Sequence, residues 1–278
     1  MSVRARSLPA GWYPSSATEC KSNIEQFLAG FAPPSGKWRG GVAPHAGWYF
    51  SGRAAARVIC TLAAAAKPDR IVLYGGHLSG TSRPIVYPND SWETPFGPIS
   101  MDADLAEQLV SRGAASAAPR HFADNTVEIQ LPFVKHFFPD VPILAIHAPA
   151  SNAAVDLAEA VEDLLQERAL KAAWIGSADL THYGPNYGFV PKGTGAQAVA
   201  WVKDENDRIL IDKARSLDVQ GLLRDAQTRQ NTCSAGPIAA VMASAIRAGV
   251  KQGHLLEYYT SFDIMPGSSF VGYAGIVY

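Results

Sequence analysis

The sequence predicts an α/β fold, with a single domain over residues 1–278 in which helices flank a central mixed β-sheet. Two observations lead to this prediction. Short apolar runs typical of buried strands alternate with longer segments in which apolar residues recur at helical spacing. In addition, 47% of the 278 residues are hydrophobic and 18% are charged, which suits one large core, and no repeat or linker divides the chain.

The predicted helices are recognised by apolar residues that share one face. In the segment 153–168, Leu157, Val161, Leu164 and Leu165 recur at the spacing of an amphipathic helix. Ser51 is a good N-cap residue and is expected to open an alanine-rich helix. The predicted helices are 17–31, 51–66, 103–112, 126–138, 153–168, 195–226 and 233–248.

The predicted strands are short apolar runs bounded by glycine, proline or polar residues. The run 70–74 is rich in β-formers, and Gly75 and Gly76 after it allow a tight turn. The proline-rich segment 84–101 predicts a hairpin or an extended excursion over the sheet that forms a pocket wall. Strands are expected at 42–43, 70–74, 142–148 and 172–176, with a terminal pair at 255–262 and 269–278.

Composition and charge exclude several classes of function. The formal net charge of -1 provides no positive field for nucleic acid or an anionic membrane, so neither partner is expected. The longest apolar stretch, 54–66, contains Arg57 and is too short to span a bilayer. Two arginines near the N-terminus are not followed by an apolar segment, so we expect no secretory signal. A small-molecule substrate is favoured, and a homo-oligomer stays open.

Three strings end strand-like runs and then present side chains that can bind a metal. They are APHAGW with His45, YGGHL with His77, and SADLTHYG with Asp179 and His182. Each histidine alone is more often a satisfied polar group than a ligand. However, the strand ends of an α/β sheet meet at one edge, and two imidazoles at the ends of adjacent strands would form half of a transition-metal site. Asp179 either orients an imidazole or caps the turn at Thr181.

Cysteine use favours a reducing compartment. The three cysteines are an odd and sparse set, unlike a disulfide scaffold, so we expect a cytoplasmic protein. Cys20 and Cys60 lie on apolar helix faces and are expected to be inert. Cys233, in NTCSAGP, is placed where a helix should begin, and the helix N-terminus would favour its thiolate. That thiolate could bind metal or act as a nucleophile with a histidine and Asp179, and spacing does not separate the two.

The remaining histidines and the aromatic residues can also be explained by purely structural roles. We expect His136, His147 and His254 to be structural, and we keep His121 as a further candidate for the site. The aromatic side chains near the motifs could stack on an aromatic substrate, anchor a partner protein, or belong to the core; they are Trp48, Tyr49, Trp92 and Phe96.

Taken together, the motifs resemble a known family over nearly the whole chain. The matching strings are AGWYPSSATECKSNIEQFL, VAPHAGWYFSG, DSWETPFGPI, VEIQLPF, GSADLTHYG, TCSAGPI and VGYAGIVY. Their order and combination resemble the Memo family, also called AmmeMemoRadiSam system protein B. That family resembles the class III extradiol ring-cleavage dioxygenases in fold, which implies a class III extradiol dioxygenase-like sheet flanked by helices here.

The resemblance also implies a metal site. The family binds copper or iron through two histidines and a cysteine, which correspond by motif to His45, His77 and Cys233. His182 corresponds to the acid/base histidine of the dioxygenases, with Asp179 beside it as a second catalytic residue. We therefore expect Fe(II) as the cofactor, with copper as the alternative.

The chain departs from the family pattern at a few places. Asn125 stands where the family commonly has a histidine, and Ser234 stands where it has a glycine. Gly75 and Gly76 replace a proline and a polar residue, which predicts a more open loop. Since the metal positions are all present, these departures concern the substrate and partner rather than the metal.

The expected function is that of a mononuclear non-haem iron oxygenase acting on a small, phenolic molecule and O₂. A thiolate ligand also favours Cu(I), so a copper-binding redox protein is a rival. A non-catalytic module that binds a partner protein is the third alternative. The residues expected to line the substrate pocket are Trp48, Tyr49, Trp92, Asn125 and Glu128.

Overall fold

The structure, a computed structural model, describes residues 2–119, 122 and 124–278. Its strands, in chain order, are β1 Val3–Arg4, β2 Gly40–Ala43, β3 Arg70–Leu78, β4 Ile85–Val86, β5 Ser91–Trp92, β6 Ile99–Ser100, β7 Ser116–Ala117, β8 Ile143–Pro149, β9 Ala172–Ser177, β10 His182–Tyr183, β11 His254–Thr260 and β12 Phe270–Val277.

The helices connect and cover these strands. They are α1 Ala17–Phe27, α2 Trp48–Ala65, α3 Ala103–Ser111, α4 Asn125–Glu128, α5 Leu131–Phe137, α6 Ala153–Glu167, α7 Ala196–Trp201, α8 Asp207–Ser216, α9 Val219–Arg229, α10 Ala235–Arg247 and α11 Ser261–Ile264, with a 3₁₀-helix at Pro185–Tyr187 and a π-helix at Val202–Asn206. No helix in these residues is long and apolar enough to cross a membrane.

The central sheet is parallel in its middle and antiparallel at both sides. Its order is β10-β12-β2-β9-β3-β8-β4-β7, with β11 also paired to β12. The strands β2, β9, β3 and β8 are parallel, whereas β12 and β4 run antiparallel to their inner neighbours. The four parallel strands therefore end at the same edge of the sheet. A second, small sheet joins β1, β5 and β6.

Helices cover both faces of the central sheet. Because successive side chains of a strand point to opposite faces, β3 contributes to two separate cores. Ile71 and Leu73 pack with residues of α1, α2 and α5, and Val72 and Tyr74 pack with residues of α6 and α10. Burial on both faces explains why the central strands are apolar without alternation.

The predicted fold class is confirmed: the chain has an α/β fold with a central mixed sheet flanked by helices. The terminal strand pair is present as β11 and β12. The prediction of one domain over residues 1–278 stays a prediction. One expectation about strand order was wrong, because β9 lies between β2 and β3, so the strands that carry His45 and His77 are not adjacent.

Several predicted helix bounds also differ, each for a local reason. The region 195–226 is broken after Ser216, where Leu217 has a positive φ of 58° and the Asp218 side chain caps α9. The region 126–138 is divided because Pro132 lies in the first turn of α5. Helix α2 begins at Trp48, before Ser51.

The N-terminal segment is fastened to the body by a buried carboxylate. Glu128 has no exposed surface, and its two oxygens accept hydrogen bonds from the amides of Ser7 at 2.8 Å and Leu8 at 2.9 Å. The hydroxyls of Ser7 and Tyr13 donate to the same carboxylate, at 2.6 and 2.9 Å. Glu128 therefore holds residues 7–13 in place and is not free for a ligand.

Replacing Glu128 by alanine should destabilise the protein by about 2–4 kcal/mol, because four donors lose a buried charged acceptor. Urea unfolding measures this, and proteolysis should then cut near residues 7–13 first. Glu107→Ala, on the exposed side of α3, is the control and should change the free energy of unfolding by less than about 0.5 kcal/mol. An unchanged urea midpoint for Glu128→Ala would contradict this role.

Candidate metal centre

Three donor atoms converge at the carboxyl edge of the parallel strands. The distance between His45 Nε2 and His77 Nε2 is 3.2 Å, and Cys233 Sγ also lies 3.2 Å from His45 Nε2. All three donor atoms lie within 4.8 Å of one another. His45 is buried, but the His77 side chain is 40% exposed, so the cluster can be reached from solvent.

The topology accounts for this convergence. His45 follows β2 by two residues, and His77 lies near the end of β3. Cys233 precedes α10, which packs very closely on β9: a Cβ at Gly176 would lie 2.7 Å from Pro237 O. The missing side chain at Gly176 thus lets the start of α10 approach the sheet edge where both histidines lie.

His45 is held by hydrogen bonds to its backbone and to its ring. Asp179 Oδ1 accepts from the His45 amide at 2.6 Å, and Asn125 Nδ2 donates to the His45 carbonyl at 3.1 Å. Ser177 Oγ lies 3.4 Å from His45 Nδ1 and accepts from Gln130 Nε2 at 3.1 Å. Because Nδ1 faces Ser177, Nε2 is the nitrogen directed at His77 and Cys233.

His77 is oriented by Asp124, which the sequence did not single out. The distance between His77 Nδ1 and Asp124 Oδ2 is 3.2 Å. The other oxygen of Asp124 accepts from the amide of Thr126 at 2.8 Å and from its hydroxyl, and Thr126 Oγ1 accepts from the Gly76 amide at 2.6 Å. A carboxylate on Nδ1 leaves the Nε2 lone pair free for a metal.

The tight turn and open loop expected at the double glycine are not found, because Gly75 and Gly76 lie within β3. A Cβ at Gly75 would overlap Thr126 Oγ1, and a Cβ at Gly76, where φ is 99°, would lie 2.7 Å from the Cβ of His147. His147 is buried and bonds Tyr87 Oη at 3.0 Å. The two glycines therefore allow Thr126 and His147 to pack tightly behind His77.

Mutual electrostatic effects shift the pKa values of the cluster. Burial raises the pKa of Cys233, but the His45, His77 and His182 imidazoles outweigh it and hold this pKa well below its usual value. Burial lowers the pKa of His45, yet Asp179 and Cys233 raise it to about 9. Burial likewise lowers the pKa of His77, and Asp124 and Cys233 raise it to about 10. The Cys233 thiolate and the protonated imidazoles of His45 and His77 therefore stabilise each other, and a cation that binds to the three side chains has to displace the imidazole protons.

A cleft of about 380 Å³ leads from the surface to the cluster. His45 and His77 lie on its wall together with His182, Asp179 and Asn125. Aromatic side chains that the sequence did not single out form much of the remaining wall: Trp12, Phe50, Tyr187 and Tyr273. The cleft therefore brings an aromatic surface next to the candidate metal centre.

His182 lines the cleft, and its ring is oriented by the backbone. Its Nδ1 lies 3.1 Å from Leu180 O, and a carbonyl oxygen only accepts, so Nδ1 carries the hydrogen and Nε2 can accept one. The Tyr187 ring meets the His182 ring edge to face, with centroids 4.9 Å apart. Asp179 does not cap the turn at Thr181, because Asp207 accepts the Thr181 amide instead.

Four of the residues predicted to line the pocket lie elsewhere. Trp48 is buried and stacks on Phe133 with centroids 3.9 Å apart, and Trp92 is buried in the same core. Tyr49 is 66% exposed on a different surface, and Glu128 fastens the N-terminal segment. Of the five, only Asn125 lines the cleft.

The other sequence candidates lie outside the cleft or outside the described residues. His121 is in the latter group. Phe96 packs against the core, His136 contacts Phe96, and His254 contacts Trp38. Cys233 does not sit in the first turn of α10, because the N-cap residue is Ser234 and the helix begins at Ala235. The nearby imidazoles of His45, His77 and His182 lower the pKa of its thiol.

Asp124→Ala should weaken metal binding about 10- to 100-fold, because His77 loses the carboxylate that fixes its ring. Calorimetric titration of the metal-free protein with Zn²⁺ or Co²⁺ measures this. Asp140→Ala, at an exposed position, is the matched control and should leave the affinity unchanged. Equal affinities of wild type and Asp124→Ala would show that Asp124 does not orient a ligand.

Comparison with known proteins finds relatives that match nearly the whole chain. A family model described as Memo-like protein matches residues 4–277. Proteins named MEMO1 family protein include one from Thermococcus onnurineus that is 30% identical over 289 residues, covering 99% of each chain. Another, from Methanosarcina acetivorans, is 31% identical and covers 100% of this chain and 99% of the relative. A third, from Pyrococcus furiosus, is 32% identical and covers 98% of each.

Among solved structures, the crystal structure of uncharacterized protein JW3007 from Escherichia coli K12 aligns with a TM-score of 0.47 and 16% sequence identity. The alignment covers 80% of this chain and 91% of that chain. The match of the family model over residues 4–277, with relatives of equal extent, shows that the chain belongs to the Memo-like protein family.

Proposed function

We propose that the protein is a mononuclear metalloprotein in which His45, His77 and Cys233 hold one redox metal, and that it is an oxygenase with Fe(II). The convergence of the three donor atoms carries the proposal. Metal–nitrogen bonds of about 2.1 Å and metal–sulfur bonds of about 2.3 Å at angles near 90–110° separate two ligands by about 3–3.6 Å. The two separations from His45 Nε2, both 3.2 Å, lie in this range.

The geometry supports a metal over a nucleophilic triad of Cys233, His45 and Asp179. In a triad the carboxylate bonds the ring nitrogen opposite to the one that faces the nucleophile. Here Asp179 Oδ2 lies 3.9 Å from His45 Nε2, the same nitrogen that faces Cys233, and Nδ1 faces Ser177. Two imidazole nitrogens and a thiol sulfur that lie within 4.8 Å of one another suit a cation instead.

The residues around the cluster are suited to a small aromatic substrate. When bound, a metal with three protein ligands and open coordination positions supplies redox chemistry towards O₂ and a chelating molecule. His182 takes a proton from a substrate hydroxyl at its Nε2. Tyr187 and Tyr273 offer ring surfaces, and Asn125 offers a polar edge. A phenolic molecule fits this combination.

Membership in the Memo-like family supports the proposal, since that family resembles the class III extradiol dioxygenases, in which a carboxylate completes the iron site in place of the cysteine. The thiolate is the point of difference, because a soft Cys233 ligand favours Cu(I) more than a carboxylate would. A copper-binding redox protein is therefore the second candidate.

Protein purified without oxygen should hold about one redox metal per chain, as a three-ligand site implies. His45→Ala should abolish this binding, and Cys233→Ser should reduce it, because each removes a donor atom. Elemental analysis measures the stoichiometry, and Cys20→Ser, at a buried position away from the cluster, is the control. Protein that stays free of metal after careful reconstitution would refute the proposal.

Oxygen uptake with Fe(II) across a panel of catechols separates the candidate functions. We expect uptake with at least one catechol, and His182→Ala should lower kcat about 10²- to 10⁴-fold, as loss of a general base does, while the metal stays bound. The absence of uptake, together with tight Cu(I) binding that Cys233→Ser removes, would favour the copper protein.

A further inference from the structure

Asn206 and Asp207 are consecutive polar residues without exposed surface, behind the cleft rather than on its wall. They lie where the π-helix Val202–Asn206 meets α8. A π-helix is less stable than an α-helix and occurs mostly as a single turn at functional sites. At the end of this π-helix the two neighbouring polar side chains are buried. Glu205 before them and Arg208 after them are exposed.

Asp207 holds Thr181, the residue before His182. Its Oδ1 accepts from the Thr181 amide at 3.0 Å and from the Thr181 hydroxyl, and its Oδ2 accepts from Tyr258 Oη at 2.7 Å. The carboxylate lies so close to Gly272 that a Cβ there would overlap it. Gly272 in turn donates to Thr181 O at 3.0 Å, so Thr181 is fixed from both sides.

Asn206 connects Thr181 to the segment that carries Cys233. Its Nδ2 donates to Thr181 Oγ1 at 3.0 Å and to Arg229 O at 3.3 Å. Its backbone carbonyl accepts from Asn231 Nδ2 at 3.2 Å. One buried residue therefore bonds the chain before His182 and the chain before Cys233.

The two segments also meet directly next to the cluster. Leu180 and Thr232 form an antiparallel bridge, and Thr232 Oγ1 donates to Asp179 O at 2.6 Å. The Cys233 amide donates to the same carbonyl at 3.4 Å. Movement of either segment would therefore change the distance between Cys233 and His45.

We infer that Asn206 and Asp207 are positioning residues that hold the Cys233 segment against the His182 segment and so set the place of the thiol at the metal centre. The inference rests on the proposed function, in which Cys233 is a ligand. A role in packing alone would be met at lower cost by apolar side chains, since burying a carboxylate and an amide is expensive.

The test uses the full chain and two measurements. Asn206→Leu has a similar volume and removes the bonds to Thr181 and Arg229. Asp207→Asn is the conservative variant, because its carbonyl can still accept from Thr181. Val161→Ala, at a buried core position on α6, is the control that shows the effect of a general loss of stability.

The first measurement is Co²⁺ titration, in which the thiolate-to-cobalt charge-transfer band reports the Cys233 bond. The second is the alkylation rate of Cys233 by iodoacetamide in metal-free protein, measured by mass spectrometry relative to Cys60, which is remote from the cluster. The second measurement needs no metal.

Asn206→Leu should weaken Co²⁺ binding about tenfold or more and diminish the charge-transfer band, as loss of a supporting bond does. The alkylation rate of Cys233 relative to Cys60 should fall about fivefold, because the thiol is no longer held against His45. Asp207→Asn and Val161→Ala should stay within about threefold of wild type in both measurements.

An unchanged band and an unchanged alkylation ratio in Asn206→Leu would overturn the inference. So would equal losses in Asn206→Leu and Val161→Ala, since they would reflect general destabilisation. If wild type binds no Co²⁺, the proposed function fails by itself, and the alkylation ratio still decides whether Asn206 positions Cys233.

Discussion

The site depends on the insertion of β9 between β2 and β3. Neighbouring strands lie about 4.8 Å apart, so the backbones that carry His45 and His77 are separated by about two such steps. The two rings meet across this gap, with their Nε2 atoms 3.2 Å apart. Ser177, the last residue of β9, and Asp179 shortly after it hold His45.

Each member of the cluster is supported by a group from a different part of the chain. Asp179 holds the backbone of His45, Asp124 holds the ring of His77, and the Thr181 network holds the segment of Cys233. Hydrogen bonds between buried polar groups restrict the geometry of the segments that they join. The arrangement has the rigidity that a small set of metal ligands requires.

Local patterns predict the fold class and the strand-end positions of His45 and His77, whereas the choice of these two histidines with Cys233 depends on the resemblance to the Memo family. Apolar runs mark the strands, and parallel strands carry the residues that follow them to one edge. Strand order is different, because pairing joins distant segments and leaves no local signal that would place β9 between β2 and β3.

The misplaced aromatic residues have a similar cause. Trp48 and Trp92 lie next to the motifs in sequence, but a tryptophan beside a motif faces the core as readily as a cleft. Asp124 and the π-helix were missed because one is an ordinary helix cap in sequence and the other depends on tertiary contacts.

The hydrogen bonds between Glu128 and the segment 7–13 bear on how the wall of the cleft can fold. Trp12 belongs to this segment and forms part of the cleft wall, and its carbonyl accepts from the Trp48 amide at 2.8 Å. The position of residues 7–13 therefore depends on a carboxylate more than a hundred positions later in the sequence. This contact joins residues more than a hundred positions apart, as the pairing of β2 with β9 also does, so the cleft wall cannot form by local folding alone.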